Sequence, residues 1–353
     1  MDPKRNIQIA KESKLCQEDN TFLTVATEFF TNAQNIGKWK NSKNVQNWIN
    51  RMGKYIYPKI GHLDITEIRA QDISEALQNI WRTKPETATK TLLQIRQVFQ
   101  RAEALGRCKH NPCIAAKTIL GSQKLLPMEE RRFPSLYWQD IPQFFKQVFE
   151  NKKLYTGRYA LMFLILNACR SGAVRFVDWS DVDLTSGIWT LKPERENSKT
   201  SVVRFYPLST QALRILRYHK TKYEVNSGIK QRIYKKTSVG ADLGLVFRSK
   251  NNTAFSDMTL TGILRRHATK FKSDAYNRLI TVHGFRSTFK GWAVSHNYDD
   301  RLSELQLCHN YGTAVQRAYD RQHLIEERRA MMQAWADYCF SEITDFDSLF
   351  EMN

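Results

Sequence analysis

Cysteine pairs, long apolar runs and a signal sequence are all missing from this chain of 353 residues. Its six cysteines are scattered without a CxxC pair, which argues against structural zinc and a disulfide framework and suits a reducing cytosol. The longest largely apolar stretch, Tyr159 to Cys169, covers 11 residues and is too short to cross a bilayer. The first residues, MDPKRNIQIAKESK, contain no apolar signal core. Membrane-spanning and secreted classes are therefore disfavoured.

Acidic residues are also scarce, because 35 Asp and Glu face 54 Lys and Arg, which gives a net charge of +19. Residues 1–128 hold 20 basic and 11 acidic side chains, and residues 129–353 hold the remaining 34 and 24. A basic surplus in both halves predicts a polyanionic partner, nucleic acid, that contacts both of them. A membrane surface is the weaker alternative, since no basic amphipathic helix with an apolar anchor occurs.

The hydrophobic pattern predicts two mainly helical domains. Helical spacing dominates residues 21–116, where KPETATKTLLQIRQVFQRAEALGR has Pro85 in its first turn and Gly106 at its end. In the second half, GIWTLKPE and VVRFYPLS have the pattern of two strands around a polar turn, with helices before and after them. We therefore expect a mainly α fold with a small antiparallel β-sheet in the C-terminal half.

The expected segments are a leader at 1–20, a helical domain at 21–116, a linker at 117–134, a second domain at 135–336 and an acidic tail at 337–353. No Lys or Arg follows Arg329, and the tail contains FSEITDFDSLFEMN, which is both acidic and amphipathic. The tail is a candidate for docking onto the basic surface of a neighbouring chain. A frayed end is an equally good interpretation.

Two basic residues of the second half have positions that suit phosphate chemistry. Arg170 follows an apolar helix and precedes Ser171 and Gly172, so we expect it at a helix end beside a turn. Its planar guanidinium could bind two phosphate oxygens, although a solvated arginine is the simpler interpretation of this segment alone. Lys199 lies at the tip of the expected hairpin, where a lysine is usually only solubilising but could also donate a proton to a leaving oxygen.

Two further segments carry histidines. In TVHGFRSTFKGWAV, His283 and Arg286 are three residues apart on the first turn of an expected helix, so both side chains face one way. Their projection from an otherwise apolar helix favours a function over a solvated face. In LQLCHNYGTAVQRAYDRQ, His309 lies ten residues before Tyr319, which Arg317 and Arg321 flank. A helix with one buried tyrosine and solvated arginines is the alternative for that segment.

Taken in order, these residues resemble the signature of the tyrosine recombinase (phage integrase) family. The family shows an Arg after an apolar helix, a Lys in a β-hairpin, HxxR, a second His and a C-terminal Tyr. HGFRSTF, QLCHNYGTAVQRAYDR and PKIGHLDITEI are similar to the integrases of satellite phages and genomic islands, and the resemblance covers about residues 20–340. It implies a core-DNA-binding domain at 21–116, a catalytic domain at 135–336, a C-shaped clamp on duplex DNA and a tetramer on paired DNA sites.

The resemblance also implies roles for the six residues. Tyr319 is the nucleophile that forms a 3′-phosphotyrosyl link, and Arg170 and Arg286 neutralise the charge on the phosphate oxygens. The proton-transfer and hydrogen-bonding roles fall to His283 as acid/base, Lys199 as general acid and His309 as a hydrogen-bond partner of the transition state. No cofactor, metal or ATP is needed, because the phosphotyrosyl link conserves the energy of the broken bond. Magnesium ligation by Asp178, Asp181 and Asp183 is disfavoured, since successive residues of a strand point to opposite faces.

Three features depart from the family pattern. Ala173 stands where the family commonly has an acidic residue that supports the first arginine, and the spacing of ten from His309 to Tyr319 is one longer than in many members. The start of the chain resembles the connector that follows an arm-DNA-binding domain, so that domain is expected to be removed or naturally absent. We also expect DNA-bending and directionality factors as partners, and a cytoplasmic, nucleoid-associated bacterial protein.

Two alternatives to an integrase remain at this stage. One is a DNA-binding protein on the same fold that regulates DNA without cutting it, which Ala173 favours and the six retained catalytic positions oppose. The other is a topoisomerase-like enzyme, which shares the chemistry but does not pair DNA sites. A tetramer on DNA would separate the integrase from the second alternative.

Overall fold

The computed structural model describes residues 20–37, 42–123, 127–150, 152, 154–193, 202–230, 244–273, 277–309 and 324–350. The chain divides into two compact units, Met1–Pro127 and Met128–Asn353, each with a hydrophobic core of its own. Within the described ranges, no helix is both long enough and apolar enough to serve as a membrane span.

The first unit is helical. Its helices are α1 (Phe22–Asn35), α2 (Ser42–Arg51), α3 (Tyr57–Ile60), α4 (Ala70–Thr83), α5 (Pro85–Ala104) and α6 (Cys113–Leu120), with a π-helical turn at Met52–Ile56. Helix α1 starts where the Thr21 side chain accepts a hydrogen bond from the Thr24 amide. Helix α5 starts at Pro85 and is followed by Gly106 with a positive φ of 72°, as the sequence predicts. Buried aromatic and aliphatic side chains fill the space between these helices, among them Phe22 and Phe99.

The second unit is mixed. Its helices are α7 (Met128–Arg131), α8 (Ile141–Phe149), α9 (Thr156–Leu166), α10 (Ser171–Arg175), α11 (Thr210–Lys230), α12 (Thr259–His267), α13 (Gly284–Ser295), α14 (Asp300–Gln306) and α15 (Ile325–Cys339). Its strands are β1 (Val182–Asp183), β2 (Ile188–Leu191), β3 (Arg204–Pro207), β4 (Lys272–Ser273) and β5 (Arg278–Leu279). Short 3₁₀ turns lie at Trp138–Asp140, Trp179–Asp181 and Asp347–Phe350.

The strands confirm the expected small antiparallel sheet. Strands β1, β2 and β3 form a three-stranded sheet in that order, and β4 pairs with β5. In the β2–β3 register Trp189 lies opposite Tyr206, and the two buried rings stack with centroids 4.8 Å apart. This pair holds one face of the sheet against the core. The mainly α fold with a small sheet, predicted from the sequence, is confirmed.

Helix α9 forms the centre of this core. It is apolar on every side, and all residues from Gly157 to Leu166 are buried. Trp335 of α15 donates its indole N–H to the Ile165 carbonyl at 2.9 Å, so the last long helix packs directly on α9. The helix that precedes Arg170 is therefore fixed from several directions.

The C-terminal segment packs on its own unit. Leu349 and Phe350 are buried, and the Phe350 ring stacks on Tyr159 of α9. The Tyr159 hydroxyl donates to the Leu349 carbonyl, and the Glu150 carboxylate accepts from the Thr344 amide at 2.6 Å. Docking of this segment onto a neighbouring chain stays a prediction.

Candidate active site

Arg170 lies at the junction between α9 and α10. Helix α9 ends at Leu166, and Ala168 then adopts a left-handed φ of 47°, which turns the chain sharply. Arg170 is the N-cap residue of α10, with extended backbone angles, and its carbonyl accepts from the Ala173 amide at 3.0 Å. Ala173 is fully buried in the apolar core. The position that is acidic in the family pattern therefore packs here as a core residue.

Arg286 is the buried centre of the site. Arg286 lies in the first turn of α13 and is 3% exposed, and the partly exposed His283 occupies the N-cap position of this helix. Its guanidinium donates to the Ala168 carbonyl at 2.9 Å and to the Leu307 carbonyl at 2.5 Å. These bonds connect the α9–α10 turn with the end of α14. Because both acceptors are backbone carbonyls, the guanidinium is held in one orientation before any ligand binds.

His309 follows α14 and contacts Arg286 directly. Its Nε2 lies 2.8 Å from Arg286 Nη2, and its Nδ1 lies 2.8 Å from Glu304 Oε2. A guanidinium has only donors, so His309 Nε2 must accept this hydrogen bond. We therefore assign the neutral tautomer in which His309 Nδ1–H donates to the Glu304 carboxylate.

Glu304 also binds a lysine. Its Oε1 lies 2.7 Å from Lys290 Nζ, and the same ammonium contacts Asp300 Oδ1 at 2.6 Å and Ser303 Oγ at 2.6 Å. Lys290 lies one turn after Arg286 on α13, whereas Glu304 and Asp300 lie on α14. Both oxygens of the Glu304 carboxylate are therefore in use. The ion pair connects the helix that carries Arg286 to the helix that precedes His309.

Burial and the repulsion between positive charges determine the protonation states of the side chains in this cluster. Burial and the charges of Arg286 and Arg170 lower the pKa of His283, so this histidine is neutral at neutral pH. Burial and the same two charges also lower the pKa of His309, although Glu304 acts in the opposite direction. Burial alone would raise the pKa of Glu304, but hydrogen bonds from Lys290 and His309 bring it below its ordinary value. Glu304 is therefore ionised.

Comparison with known proteins identifies the family of the chain. A family model described as "Phage integrase central domain" matches residues 22–118, and one described as "Phage integrase family" matches residues 134–323, more than half of the chain. The chain belongs to the phage integrase family. It is a site-specific DNA recombinase of the tyrosine type, as the sequence predicted, and no comparison favours the non-cleaving alternative.

Curated relatives of this integrase family member come from bacteria and their phages. The chain is 28% identical to the prophage integrase IntZ of Escherichia coli (strain K12) over 90% of its length and 70% of the relative. It is 26% identical to the putative protein IntB of the same strain, over 99% of the chain and 83% of the relative. The integrase of Shigella phage Sf6 is 24% identical over 94% of the chain and 78% of the phage protein.

Solved structures give the same fold. A lambda integrase dimer bound to a COC′ core site has a TM-score of 0.59 at 17% identity, over 82% of this chain and 95% of that one. A Tn1549 transposon integrase in complex with a circular intermediate DNA has a TM-score of 0.58 at 14% identity, over 88% and 99% of the two chains. These likenesses establish the tyrosine recombinase architecture for the integrase described here.

Of the six predicted site residues, the structure brings four together. Arg170, His283, Arg286 and His309 interact electrostatically with one another, as their effects on the two histidine pKa values show. Lys199 and Tyr319 lie outside the described residues. Their roles in this integrase stay predictions.

A buried arginine links the elements next to these two segments. Arg328 of α15, 2% exposed, donates to the Gln306 side-chain oxygen at 2.7 Å and to the Phe205 carbonyl of β3 at 2.7 Å. Gln306 in turn donates to the Asn167 carbonyl at 2.9 Å. The strand after Lys199, the helix after Tyr319 and the turn before Arg170 are therefore joined by one hydrogen-bonded chain.

Sequence reasoning missed three residues around the site. Glu304 and Lys290 were not singled out, although Lys290 is four residues after Arg286 and so lies on the same side of α13. Phe133, placed in the expected linker, has its ring centroid 4.5 Å from that of His283. A lone phenylalanine in a polar segment carries no sequence signal for such a contact.

The three aspartates considered as magnesium ligands have local structural roles. Asp178 Oδ1 accepts from the Ser180 amide and hydroxyl, and Asp183 Oδ1 accepts from the Thr185 amide at 2.8 Å. Asp181 forms an ion pair with Lys192 at 2.5 Å. Among the residues that the structure describes, no group of three or more His, Cys, Asp or Glu side chains is arranged to hold a metal ion.

Proposed function

We propose that this recombinase cleaves and rejoins DNA at paired attachment sites of a mobile genetic element, through a 3′-phosphotyrosyl intermediate at Tyr319. The observation that carries the proposal is the fixed position of Arg286, bonded to two backbone carbonyls and to His309, with Arg170 and His283 close enough to interact electrostatically. We infer that an anion binds among these four cationic or hydrogen-bonding groups.

Arg170 and Arg286 bind the nonbridging oxygens of the scissile phosphate. Their charge offsets the negative charge that builds up as phosphorus becomes pentacoordinate, and a preorganised guanidinium needs no rearrangement at that moment. Burial and the charge of Arg170 lower the pKa of Arg286. The second cause reflects the repulsion between two arginines held close together without an anion. Binding of a phosphate diester removes this cost.

Proton transfers complete the cleavage step. Tyr319 Oη bonds to phosphorus as the bond from phosphorus to the 5′ oxygen breaks. The neutral His283 accepts the tyrosine proton, and Lys199 donates a proton to the departing 5′ oxygen. In rejoining, the 5′ hydroxyl of another strand attacks phosphorus, Lys199 takes up its proton, and Tyr319 leaves with the proton returned by His283.

Both units contribute to DNA binding in this proposal. The surplus of basic residues is nearly equal in residues 1–128 and 129–353, which suits a core-DNA-binding domain at 21–116 and a catalytic domain at 135–336 that contact one duplex. A related solved structure is a lambda integrase tetramer bound to a Holliday junction, with a TM-score of 0.56. We accordingly propose a tetramer that passes through a Holliday junction, assisted by DNA-bending and directionality factors, on the bacterial nucleoid.

The test is capture of a covalent adduct. Supercoiled plasmid and DNA from the ends of the element are incubated with the protein in EDTA, and SDS-resistant complexes are counted for the wild type and Tyr319→Phe. We expect an adduct that Tyr319→Phe abolishes. Tyr311 and Tyr338 are the tyrosines nearest to Tyr319 in the sequence and could in principle act as nucleophiles, and we expect Tyr311→Phe and Tyr338→Phe to retain the adduct. Salt-sensitive DNA binding without an adduct on either DNA would overturn the proposal in favour of a non-cleaving DNA-binding protein.

A further inference from the structure

Four side chains, two from α13, one from α14 and one from the residues after α14, form a continuous chain beside the phosphate-binding groups. Lys290 Nζ lies 2.7 Å from Glu304 Oε1, Glu304 Oε2 lies 2.8 Å from His309 Nδ1, and His309 Nε2 lies 2.8 Å from Arg286 Nη2. The His309 amide also donates to the Glu304 carbonyl at 3.0 Å. Glu304 therefore holds both the backbone and the ring of His309.

We propose that Glu304 is a positioning residue that fixes the Nδ1–H form of His309 and stabilises the imidazolium that forms when His309 Nε2 binds the scissile phosphate. Lys290 keeps the Glu304 carboxylate ionised and oriented. This inference rests on the proposed function and on the role that the family resemblance implies for His309, a hydrogen bond to the phosphate in the transition state. Neither Glu304 nor Lys290 contacts the reacting atoms.

The need for an imidazolium follows from hydrogen-bond chemistry. A phosphate oxygen only accepts hydrogen bonds, so His309 must present Nε2–H to it, whereas in the free protein Nε2 accepts from Arg286. A switch to the other neutral tautomer would leave His309 Nδ1 without hydrogen against an anionic Glu304 oxygen. His309 must instead take up one proton from water when the phosphate binds, and it returns that proton when the DNA leaves.

The charges around His309 decide whether that proton can bind. Arg286 and Arg170 oppose an imidazolium, and His283 would add a third like charge if it were protonated. The phosphate offsets the arginines, and Glu304 supplies a negative charge from the opposite side of the ring. Lys290 contacts Glu304, and Asp300 contacts Lys290, so we infer that both charges act on the ring mainly through the Glu304 carboxylate.

A simpler interpretation is that the Lys290–Glu304 ion pair only fastens α13 to α14. Two observations weigh against it. One oxygen of the carboxylate is committed to His309 rather than to lysine, and Glu304 is well covered, with its side chain 19% exposed. An ion pair at a surface rim would satisfy its second oxygen with water. The two interpretations differ in whether the effect of Glu304 passes through His309.

The experiment measures single-turnover adduct formation on a nicked suicide substrate as a function of pH. Glu304→Gln is expected to slow cleavage by ~10–100-fold, part of what one transition-state hydrogen bond contributes. Glu304 acts to raise the pKa of His309. Without the Glu304 charge, the His309 imidazolium therefore loses its proton at a lower pH. The alkaline limb of the rate profile should therefore move to lower pH. In a His309→Ala background, Glu304→Gln should have no further effect.

Glu326→Gln is the matched control, since Glu326 forms an exposed ion pair with Arg329 on α15 and should leave the profile unchanged. Lys290→Met is the second variant, in case Glu304→Gln does not fold. It removes the cation that offsets the Glu304 charge while Glu304 stays ionised, so the alkaline limb should move to higher pH, opposite to the shift in Glu304→Gln. The inference is overturned if Glu304→Gln leaves the alkaline limb in place or slows cleavage equally without His309, or if Lys290→Met moves the limb to lower pH. A wild type that forms no adduct at all would instead refute the proposed function itself.

Discussion

Arg286 Nη2 and His309 Nε2 lie 2.8 Å apart, although Arg286 lies on α13 and His309 follows α14, 23 positions later in the chain. The contact makes the most buried cation of the site the neighbour of a histidine that is itself close to solvent. A phosphate oxygen that accepts the Nη2–H now directed at His309 would displace His309 from this guanidinium. Phosphate binding at this nitrogen and release of His309 would then be linked.

The first prediction concerns the planar fork of Arg286. Arg286→Lys retains the charge but cannot reach the Ala168 carbonyl, the Leu307 carbonyl and a phosphate together. Adduct formation should fall by ~10²–10³-fold, the loss typical of one preorganised transition-state donor. DNA affinity at matched salt should change much less. Single-turnover cleavage and filter binding measure the two quantities.

Arg329→Lys is the control for that substitution, because Arg329 is partly exposed and forms its ion pair with Glu326 outside the site. It should leave cleavage within a factor of about two. Near wild-type cleavage by Arg286→Lys would contradict the role given to the planar guanidinium. Equal losses of DNA binding and cleavage would point to general destabilisation of the protein.

The second prediction concerns Gly284, at the start of α13. A Cβ there would overlap the Pro134 carbonyl oxygen, which itself accepts hydrogen bonds from the Thr281 amide and hydroxyl at 3.0 Å. Gly284→Ala must therefore displace backbone next to His283, and we expect a loss of ~2–4 kcal/mol in unfolding free energy, as for other overpacked sites. Chemical denaturation measures this loss.

Gly291 provides the matched control on the same helix. A Cβ at Gly291 would meet only Trp138 at 3.5 Å, an ordinary van der Waals contact. Gly291→Ala should therefore be neutral or stabilise the protein by up to about 1 kcal/mol, because alanine restricts the unfolded chain and favours the helix. Equal destabilisation by both substitutions would show that the Pro134 contact is not the cause.

Much of this architecture could be predicted from local sequence. The apolar run before Arg170 predicts a buried helix because no side of it can face water, and the HxxR spacing places His283 and Arg286 in one helical turn. The antiparallel pairing of β2 with β3 follows from two short stretches of strand pattern separated by a polar segment. These predictions succeed because the interactions that determine them lie within a few residues of one another.

Contacts between distant elements could not be predicted in this way. The Lys290–Glu304–His309 chain depends on how α13 packs against α14, and the polar helix faces that carry Lys290 and Glu304 look like ordinary solvated faces. The buried Arg328 is a similar case, since a basic residue in a helix is normally assumed to be exposed. Only the packing of α15 against β3 and α14 shows that the Arg328 guanidinium donates hydrogen bonds to buried oxygens.

The third prediction concerns the acidic limb of the pH–rate profile. His283 must be neutral to accept the Tyr319 proton, and burial together with Arg286 and Arg170 lowers its pKa below the ordinary value. Cleavage should therefore stay constant as pH falls through about 6.5, the usual histidine value, and decline only at lower pH. His283→Gln should slow cleavage and remove this acidic limb. If the acidic limb is unchanged in His283→Gln, the limb reports the protonation of another group.

The last prediction uses a buried histidine far from the proposed chemistry. His219 of α11 is 8% exposed and packs against the rings of Tyr159 and Phe247, and burial lowers its pKa to about 3. In the unfolded chain the same imidazole binds a proton near pH 6.5, so the unfolded state binds more protons between these two values. Stability should therefore be lost as pH falls below about 6.5, by up to about 1.4 kcal/mol for each pH unit from this group.

Denaturant unfolding at several pH values, with the wild type compared against His219→Phe, isolates this contribution. The phenylalanine cannot be protonated, so the difference in unfolding free energy between the two proteins should change with pH along the expected slope. His62→Phe is the control, because His62 is exposed and its replacement removes no buried imidazole. A pH-independent difference in unfolding free energy between wild type and His219→Phe would contradict this prediction. It would mean that His219 is protonated in the folded protein at the same pH as in the unfolded chain. The aromatic cluster around His219 would then have to open in acid while the rest of the unit stays folded.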